Sequence, residues 1–368
     1  MTANKAEGIR YPYSEPPKKG EWIEVAQGVY WLQMALPMAL DHINLYVIED
    51  DQGWWIVDTG MKWGDTQERW QLLFDGPMQG KPLLGVICTH LHPDHIGQAG
   101  WLCKTWKVPL CMSIGEYLSA RTMTAPAPNG EPNWALIQHF IRSGIPEQTV
   151  QQMASKFQGF GDIVEPLPRS YRRLRDGQTL SIGGREWQVM IGSGHSPEHV
   201  CLYDARDHIL LSGDQIIPRI TSNVSVMPTE PEANPLVDWF NSLRRFRAEL
   251  PEDTLILPAH NAPFYGAHYR LEHLIAHHES HLAAIEKACA EQPKTALELF
   301  PVLFEREVGV HEMPLALGEA VAHLHYLYEL GRLERELHED GAYRYHSVDL
   351  EHCPYTQTEA GSPLPIEV

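Results

Sequence analysis

The run CTHLHPDHIG at residues 88–97 places three histidines and one aspartate within the six positions from His90 to His95. Four such side chains act together only if the backbone holds them around one point, so the strands and turns of the fold must serve that point. The preceding apolar run LLGVIC, residues 83–88, reads as a buried strand that feeds directly into the motif. His90 and His92 stand two apart just past that strand, and in extended backbone this spacing turns both rings to the same side. Pro93 then fixes φ at the start of a helix whose first turn carries Asp94 and His95. The four side chains are divided two and two, which suits a pair of neighbouring metal ions better than one. A polar loop that happens to be rich in histidine is the plain alternative.

Four further regions bear on that choice. IGSGHSPEHV (191–200) sets His195 after Gly194 at the end of a predicted strand, LLSGDQII (210–217) does the same with Asp214, and LILPAHNAPF (255–264) with His260. WWIVDTG (54–60) puts Asp58 at the end of another. Each polar residue follows an apolar β-run and stands in a turn marked by Gly or Pro. All are therefore expected along one rim of the sheets. One such residue is ordinarily a turn former; five regions in this order are not a matter of chance.

The H-x-H-x-D-H run, preceded by Asp-Thr-Gly and followed by lone His, Asp and His at strand ends, resembles the metallo-β-lactamase-fold hydrolase superfamily over about residues 22–265. The resemblance implies an α/β fold, an αββα sandwich with a two-metal site at one edge of the sheets. It implies that His90, His92 and His195 hold one ion, that Asp94, His95 and His260 hold the other, and that Asp214 bridges them. Asp58 would orient the ligand loop by hydrogen bonding. PAHNAP stands where the family commonly has Pro-Gly-His-Gly. The overall arrangement, with its winged-helix-like C-terminal module, resembles the hydroxyacylglutathione-hydrolase-like and β-lactamase-like ribonuclease branch, and does not resemble the shorter, secreted antibiotic-hydrolysing enzymes.

Length and composition fit this reading. A chain of 368 residues with 43% hydrophobic and 21% charged residues holds one large domain and a smaller one. Residues 1–20 read as a flexible arm, 21–292 as the catalytic domain with a helical insertion or lid at 123–178, 293–348 as a small winged-helix-like domain, and 349–368 as a tail. Thr295 is a plausible N-cap and Asp340-Gly341 a hairpin turn. The N-terminus lacks the apolar run of a secretory signal and no stretch is long enough to span a membrane. The six scattered cysteines form no C-x-x-C pair. A cytoplasmic location is expected.

The expected activity is metal-dependent hydrolysis. A water shared by two divalent ions ionises near neutral pH, because coordination lowers its pKa from 15.7 to roughly 7. The bridging hydroxide then attacks a carbonyl or phosphoryl centre, with Asp94 as the catalytic residue that orients it and manages its proton. Zinc is the expected metal, with iron or manganese also compatible with a His/Asp set lacking cysteine. The expected substrate is a small-molecule acyl-thioester or ester, since a thiolate leaves without an obvious general acid. Phosphodiester cleavage of RNA is the alternative on the same site. The net charge of −19 weighs against nucleic acid as a partner, and so do the ten Asp/Glu against four Arg in residues 295–348, a net −6. A one-iron dioxygenase is the alternative from another class, and would not require Asp94, His95 and His260 together.

Other features are weighed against plain structural readings. The four arginines of RSYRRLR, Arg169, Arg172, Arg173 and Arg175, read as a solvated loop or as a clamp for an anionic substrate. Arg219, in the loop after Asp214, is a candidate substrate contact. His273, His277 and His281 recur at helical spacing and read as a packed helix face rather than a metal ledge. Trp134, Phe140 and Phe157 of the insertion could wall an acyl pocket or form the contact of a homo-oligomer.

Overall fold

In the computed structural model, which describes residues 8–38, 40–125, 134–154, 160–309 and 312–348, the apolar runs assemble into two main sheets. The first has seven strands in sequence order: β1 (Ile23–Ala26), β2 (Val29–Ala35), β3 (His42–Asp50), β4 (Gly53–Val57), β5 (Leu83–Ile87), β6 (Leu110–Met112) and β7 (Arg172–Arg173). Helices α1 (Thr66–Asp75), α2 (Pro93–Ile96), α3 (Ala99–Trp106) and α4 (Ile114–Met123) connect or follow its parallel strands. The second sheet contains β8 (Thr179–Ile182), β9 (Arg185–Gly192), β10 (His199–Asp204), β11 (Ile209–Gly213) and β12 (Leu255–Pro258), again in sequence order across the sheet.

The period-two pattern of these strands explains why they stack. Leu45 and Val47 of β3, Ile56 of β4 and Val86 of β5 pack with Trp70 of α1 and Leu102 of α3. The alternate residues Tyr46, Ile48, Val57 and Ile87 face inward and meet Trp187, Val189, Val200, Leu202, Leu211 and Leu257 of the second sheet. The first sheet is thus buried on both faces, as the αββα architecture requires.

Asn44 pins the two sheets together at one end. Its Oδ1 accepts from Trp31 Nε1 and Gln33 Nε2 at 2.8 and 2.9 Å. Its Nδ2 donates to the carbonyls of Pro258 and Asn261, and its backbone N–H to that of Ala259. All four side-chain bonds of a buried amide are made.

Two expectations change here. Residues 1–7 of the expected arm lie outside the described residues, but beyond them the chain is tied down. Arg10 and Tyr265 form an antiparallel bridge, and Tyr13 donates its hydroxyl to Val25 O at 2.9 Å. RSYRRLR is not simply a loop either. Arg172 and Arg173 form edge strand β7, parallel to β6, and all four arginines of the run are exposed. Charged side chains on an edge strand discourage pairing with another chain.

The chain divides into two compact units, the first comprising Met1–Pro126, Gln158–Ser222 and Phe246–Leu271, the second Ala127–Phe157, Asn223–Arg245 and Glu272–Val368. This grouping cuts across the boundaries expected from sequence: the insertion helices α5 (Trp134–Arg142) and α6 (Glu147–Ala154) fall in the same unit as the C-terminal segment. That unit also takes in most of α7 (Pro235–Glu249) and α8 (Ala267–Glu291), with α9 (Phe300–Leu303), α10 (Met313–Glu329) and the hairpin of β13 (Leu333–Leu337) and β14 (Tyr343–Ser347). Phe140 is buried within it and Trp134 is exposed, while Phe157 lies outside the described residues. Thr295 caps as expected, in a reciprocal pair with Glu298: Thr295 N–H donates to Oε2 at 2.8 Å and Glu298 N–H donates to the threonine hydroxyl at 3.3 Å. Gly341 takes a φ of 82° in the hairpin turn. No helix of the described residues is long and apolar enough to cross a membrane.

Candidate metal centre

Five strands end at one rim, and each delivers a polar side chain there. After β5 the chain bends through residues 89–92, His92 itself being extended (φ −66°, ψ 148°), and Pro93 then starts α2. His90 Nε2 and His92 Nδ1 stand 2.9 Å apart, brought together by that bend rather than by extended alternation. Gly194, at φ 111°, turns the chain after β9 and brings His195 Nε2 to 3.3 Å from His90 Nε2. Gly213, at φ 50°, precedes Asp214, and a Cβ there would lie 2.5 Å from the His199 ring. His260 follows β12, and Asn261 beside it adopts φ 65°, a conformation that asparagine tolerates better than most residues. The PAHNAP loop therefore makes the turn without a glycine in that position.

The structure brings all seven expected ligands together, in two groups. His90, His92, His195 and Asp214 form one, and Asp94, His95 and His260 the other; within each group one donor atom per residue lies within 4.8 Å of the rest. Asp214 faces both. Its Oδ2 lies 3.4 Å from His195 Nε2 and 3.9 Å from His90 Nε2, while Oδ1 lies 3.6 Å from His95 Nε2 and 3.5 Å from His260 Nε2. One carboxylate oxygen is thus offered to each group.

The hydrogen-bond network assigns the tautomers. His95 Nδ1 donates to Asp58 Oδ2 at 2.8 Å, and His260 Nδ1 donates to the His42 carbonyl at 3.1 Å. Both rings therefore turn an Nε2 lone pair inward, towards Asp94 Oδ2 at 3.6 and 3.3 Å and towards Asp214. Carboxylate oxygens around each Nε2 call for positive charge among them, which a bound metal ion supplies in place of a proton. His95 Nε2 and Asp214 Oδ1 are buried with no hydrogen-bond partner, which is what a metal-ligand pair looks like when only protein atoms are counted. The donor set fits divalent ions.

The electrostatics agree. Burial, reinforced by neighbouring imidazoles, holds His90 well below the ordinary histidine range and pushes His92 down to about 3, so both rings are neutral donors. For His95 burial acts the same way but is outweighed by Asp58, Asp94 and Asp214, which raise it. Asp94 falls to about 2: burial works to raise it, but His95 and His260 prevail. The rim carries concentrated negative charge that a cation would neutralise.

Asp58 holds the second group in place, and its backbone sits in the left-handed region at φ 60°. Its carboxylate accepts from Thr89 N–H at 2.8 Å and from the Thr89 hydroxyl as well as from His95. In Asp58→Asn an amide N–H₂ must confront one of these donors. Metal affinity is then expected to fall about 10- to 100-fold, read by chelator competition.

Two residues of the rim escaped the sequence reading. His199, fully buried, stacks on the His90 ring at 4.7 Å and accepts from the Asp214 N–H at 3.0 Å; it lies in the same GHSPEHV run as His195, which was the available signal. Glu116 is also fully buried, with its signal masked by S-x-x-E at residues 113–116, the ordinary signature of a helix start. Arg219 is exposed, its Nε donates to Tyr11 Oη at 3.4 Å and its guanidinium lies over the Tyr11 ring. On α8, the His277 and His281 rings lie 4.2 Å apart at a tilt of 57°, and His278 Nδ1 lies 3.1 Å from His323 Nε2 of α10. Among the described residues no three-ligand group closes on that face; His277 and His281 are half-buried, His273 is exposed, and the buried histidine there is His278.

Residues 39–260 match the sequence model of the Metallo-beta-lactamase superfamily, and residues 282–348 that of the Metallo-beta-lactamase-like, C-terminal domain. The chain is similar to a beta-lactamase domain protein from Burkholderia ambifaria, with a TM-score of 0.84 and 42% identity, covering 92% of this chain and 97% of that one. It is 27% identical to the probable metallo-hydrolase YqjP of Bacillus subtilis (strain 168), over 82% of this chain and 92% of the relative. It is 26% identical to the acyl-coenzyme A thioesterase MBLAC2 of Homo sapiens, over 53% of this chain and 68% of the relative.

Proposed function

Because the chain belongs to the metallo-β-lactamase superfamily, we propose that it is a two-metal hydrolase whose substrate is a small acyl-thioester or ester. The observation that carries the hydrolase reading is Asp214 facing both ligand groups, one oxygen to each. His90, His92 and His195 would hold one ion and Asp94, His95 and His260 the other, with zinc the best match to the imidazole-rich set. When bound, the ions supply Lewis acidity and lower the pKa of coordinated water to roughly 7.

The chain's own residues do the rest. Asp94, half-buried and held low in pKa, stays ionised at neutral pH and accepts a hydrogen bond from the attacking water, orienting it towards the acyl carbon. Asp58 and the His42 carbonyl keep the lone pairs of His95 and His260 turned inward. His199 holds Asp214 by its backbone. A thiolate departs without a dedicated acid, so this equipment suits a thioester, and the likeness to a protein named as an acyl-coenzyme A thioesterase supports that choice. The one-iron oxygenase reading leaves Asp94, His95 and His260 without a role. The five described cysteines are buried and in no disulfide among the described residues, which supports a reducing compartment such as the cytoplasm.

The test is a hydrolysis screen of the metal-loaded protein on acyl-thioesters, lactones, phosphodiesters and short RNA. Acyl-thioesters are expected to give the highest kcat/KM, followed by release of free thiol. Faster turnover of phosphodiesters or RNA would overturn the substrate assignment and leave the metal centre standing.

A further inference from the structure

We propose that Glu116 is a positioning residue of the first ligand group: one buried carboxylate that ties the loop carrying His90 and His92 to the loop carrying His195. The inference rests on the two-metal reading above. Glu116 Oε2 accepts from the Leu91 N–H at 2.9 Å, and Leu91 is the residue between His90 and His92. Its Oε1 accepts from the Ser196 hydroxyl at 2.6 Å and from the Glu198 N–H at 2.8 Å, and Ser196 directly follows His195. A single side chain thus grips the backbone beside three ligands that are separated by more than a hundred residues of chain in the case of His90 and His195.

The same two segments are laced together around it. Ser113, at the start of α4, accepts from the Glu116 N–H at 3.4 Å and donates its hydroxyl to the Glu198 carbonyl at 2.8 Å. Gly115 N–H donates to Glu198 Oε2 at 2.8 Å. The plain reading of S-x-x-E, in which the glutamate folds back on its own helix start, does not describe this side chain, because both its oxygens are engaged with the ligand loops. All three of its donors are neutral groups, so Glu116 is a fully buried carboxylate with no cationic hydrogen-bond partner. A helix cap or a core contact is met at far lower desolvation cost by other residues. The arrangement parallels Asp58, which grips Thr89 and His95 beside the second group. Each group has its own buried carboxylate.

Glutamine at this position separates placement from bulk. Its single carbonyl oxygen can serve Ser196 and Glu198, but its amide N–H₂ then confronts the Leu91 N–H, donor against donor; turned over, it confronts the Glu198 N–H. No orientation serves both loops.

The experiment uses the full chain loaded with zinc or cobalt(II). Metal per chain is measured after dialysis, affinity by chelator competition, the cobalt visible spectrum as a signature of ligand geometry, and metal-free melting as a control on folding. His195→Ala and His260→Ala identify the signals of the second and first groups respectively. In Glu116→Gln the first-group affinity is expected to fall about 10- to 100-fold with altered cobalt bands, while the second-group signal persists. Ser196→Ala, which removes one of the three bonds, is expected to weaken the same group severalfold. Should Glu116→Gln fail to fold, Ser196→Ala decides alone. Unchanged first-group affinity and spectrum in whichever variant folds overturn the role of Glu116. A wild-type chain that fails to take up two ions overturns instead the two-metal reading on which the inference rests.

Discussion

In Asp94→Ala, kcat on the substrate found by the screen is expected to fall about 10³-fold or more, with the metal-free melting temperature little changed. Two losses combine. The second ligand group keeps His95 and His260 but loses its only carboxylate outside the shared Asp214. The attacking water also loses the acceptor that orients it. The side chain lies on the first turn of α2, half-buried at the rim rather than in the apolar core, so its removal opens no cavity between the sheets. Asp94→Asn should lose a comparable factor, since it preserves shape and removes charge. Steady-state kinetics of both variants, saturated with metal, provide the check. Wild-type turnover in either would sink the proposed role.

Stripping the metal with a chelator is expected to abolish activity and to lower the stability of the first unit by about 4 kcal/mol, relative to protein held at metal a thousandfold above Kd. The reason lies in the lone pairs. His90 Nε2 crowds His92 Nδ1 and His195 Nε2 at 2.9 and 3.3 Å, and His95 Nε2 faces two carboxylates. Without a metal ion the crowded nitrogens of the first group repel, and the second group must take up protons to satisfy its carboxylates. Calorimetry should show the transition moving down by several degrees with chelator and back with added zinc, manganese or iron. The ion that restores both stability and turnover is the working metal. An unmoved transition with full activity would refute metal dependence.

Much of this arrangement was legible before any coordinates. Apolar β-runs announced the strands and a polar residue after each announced the rim, because a strand end next to a Gly or Pro turn is where a side chain can leave the core. The two-sheet sandwich came from the family resemblance. What stayed hidden depends on contacts across the chain. Nothing local to Glu116 tells that its carboxylate turns from its own helix to residues 91, 196 and 198. Nothing in WALIQHFIR tells that this helix belongs to the same compact unit as residues beyond 272. The arginines of residues 169–175 read as loop because β7 is two residues long, too short to show a period.

Asn44 has a mechanical meaning beyond its four bonds. Its amide bonds Trp31 and Gln33 of its own sheet, Pro258 at the end of β12 and Asn261 in the turn beyond, the last two flanking Ala259 and His260. Prising the layers apart at this corner must break both Nδ2 bonds and the Asn44 N–H bond to the Ala259 carbonyl together, so the corner opens as a whole or stays shut. The imidazole beyond it inherits that stillness from a side chain that never reaches the chemistry.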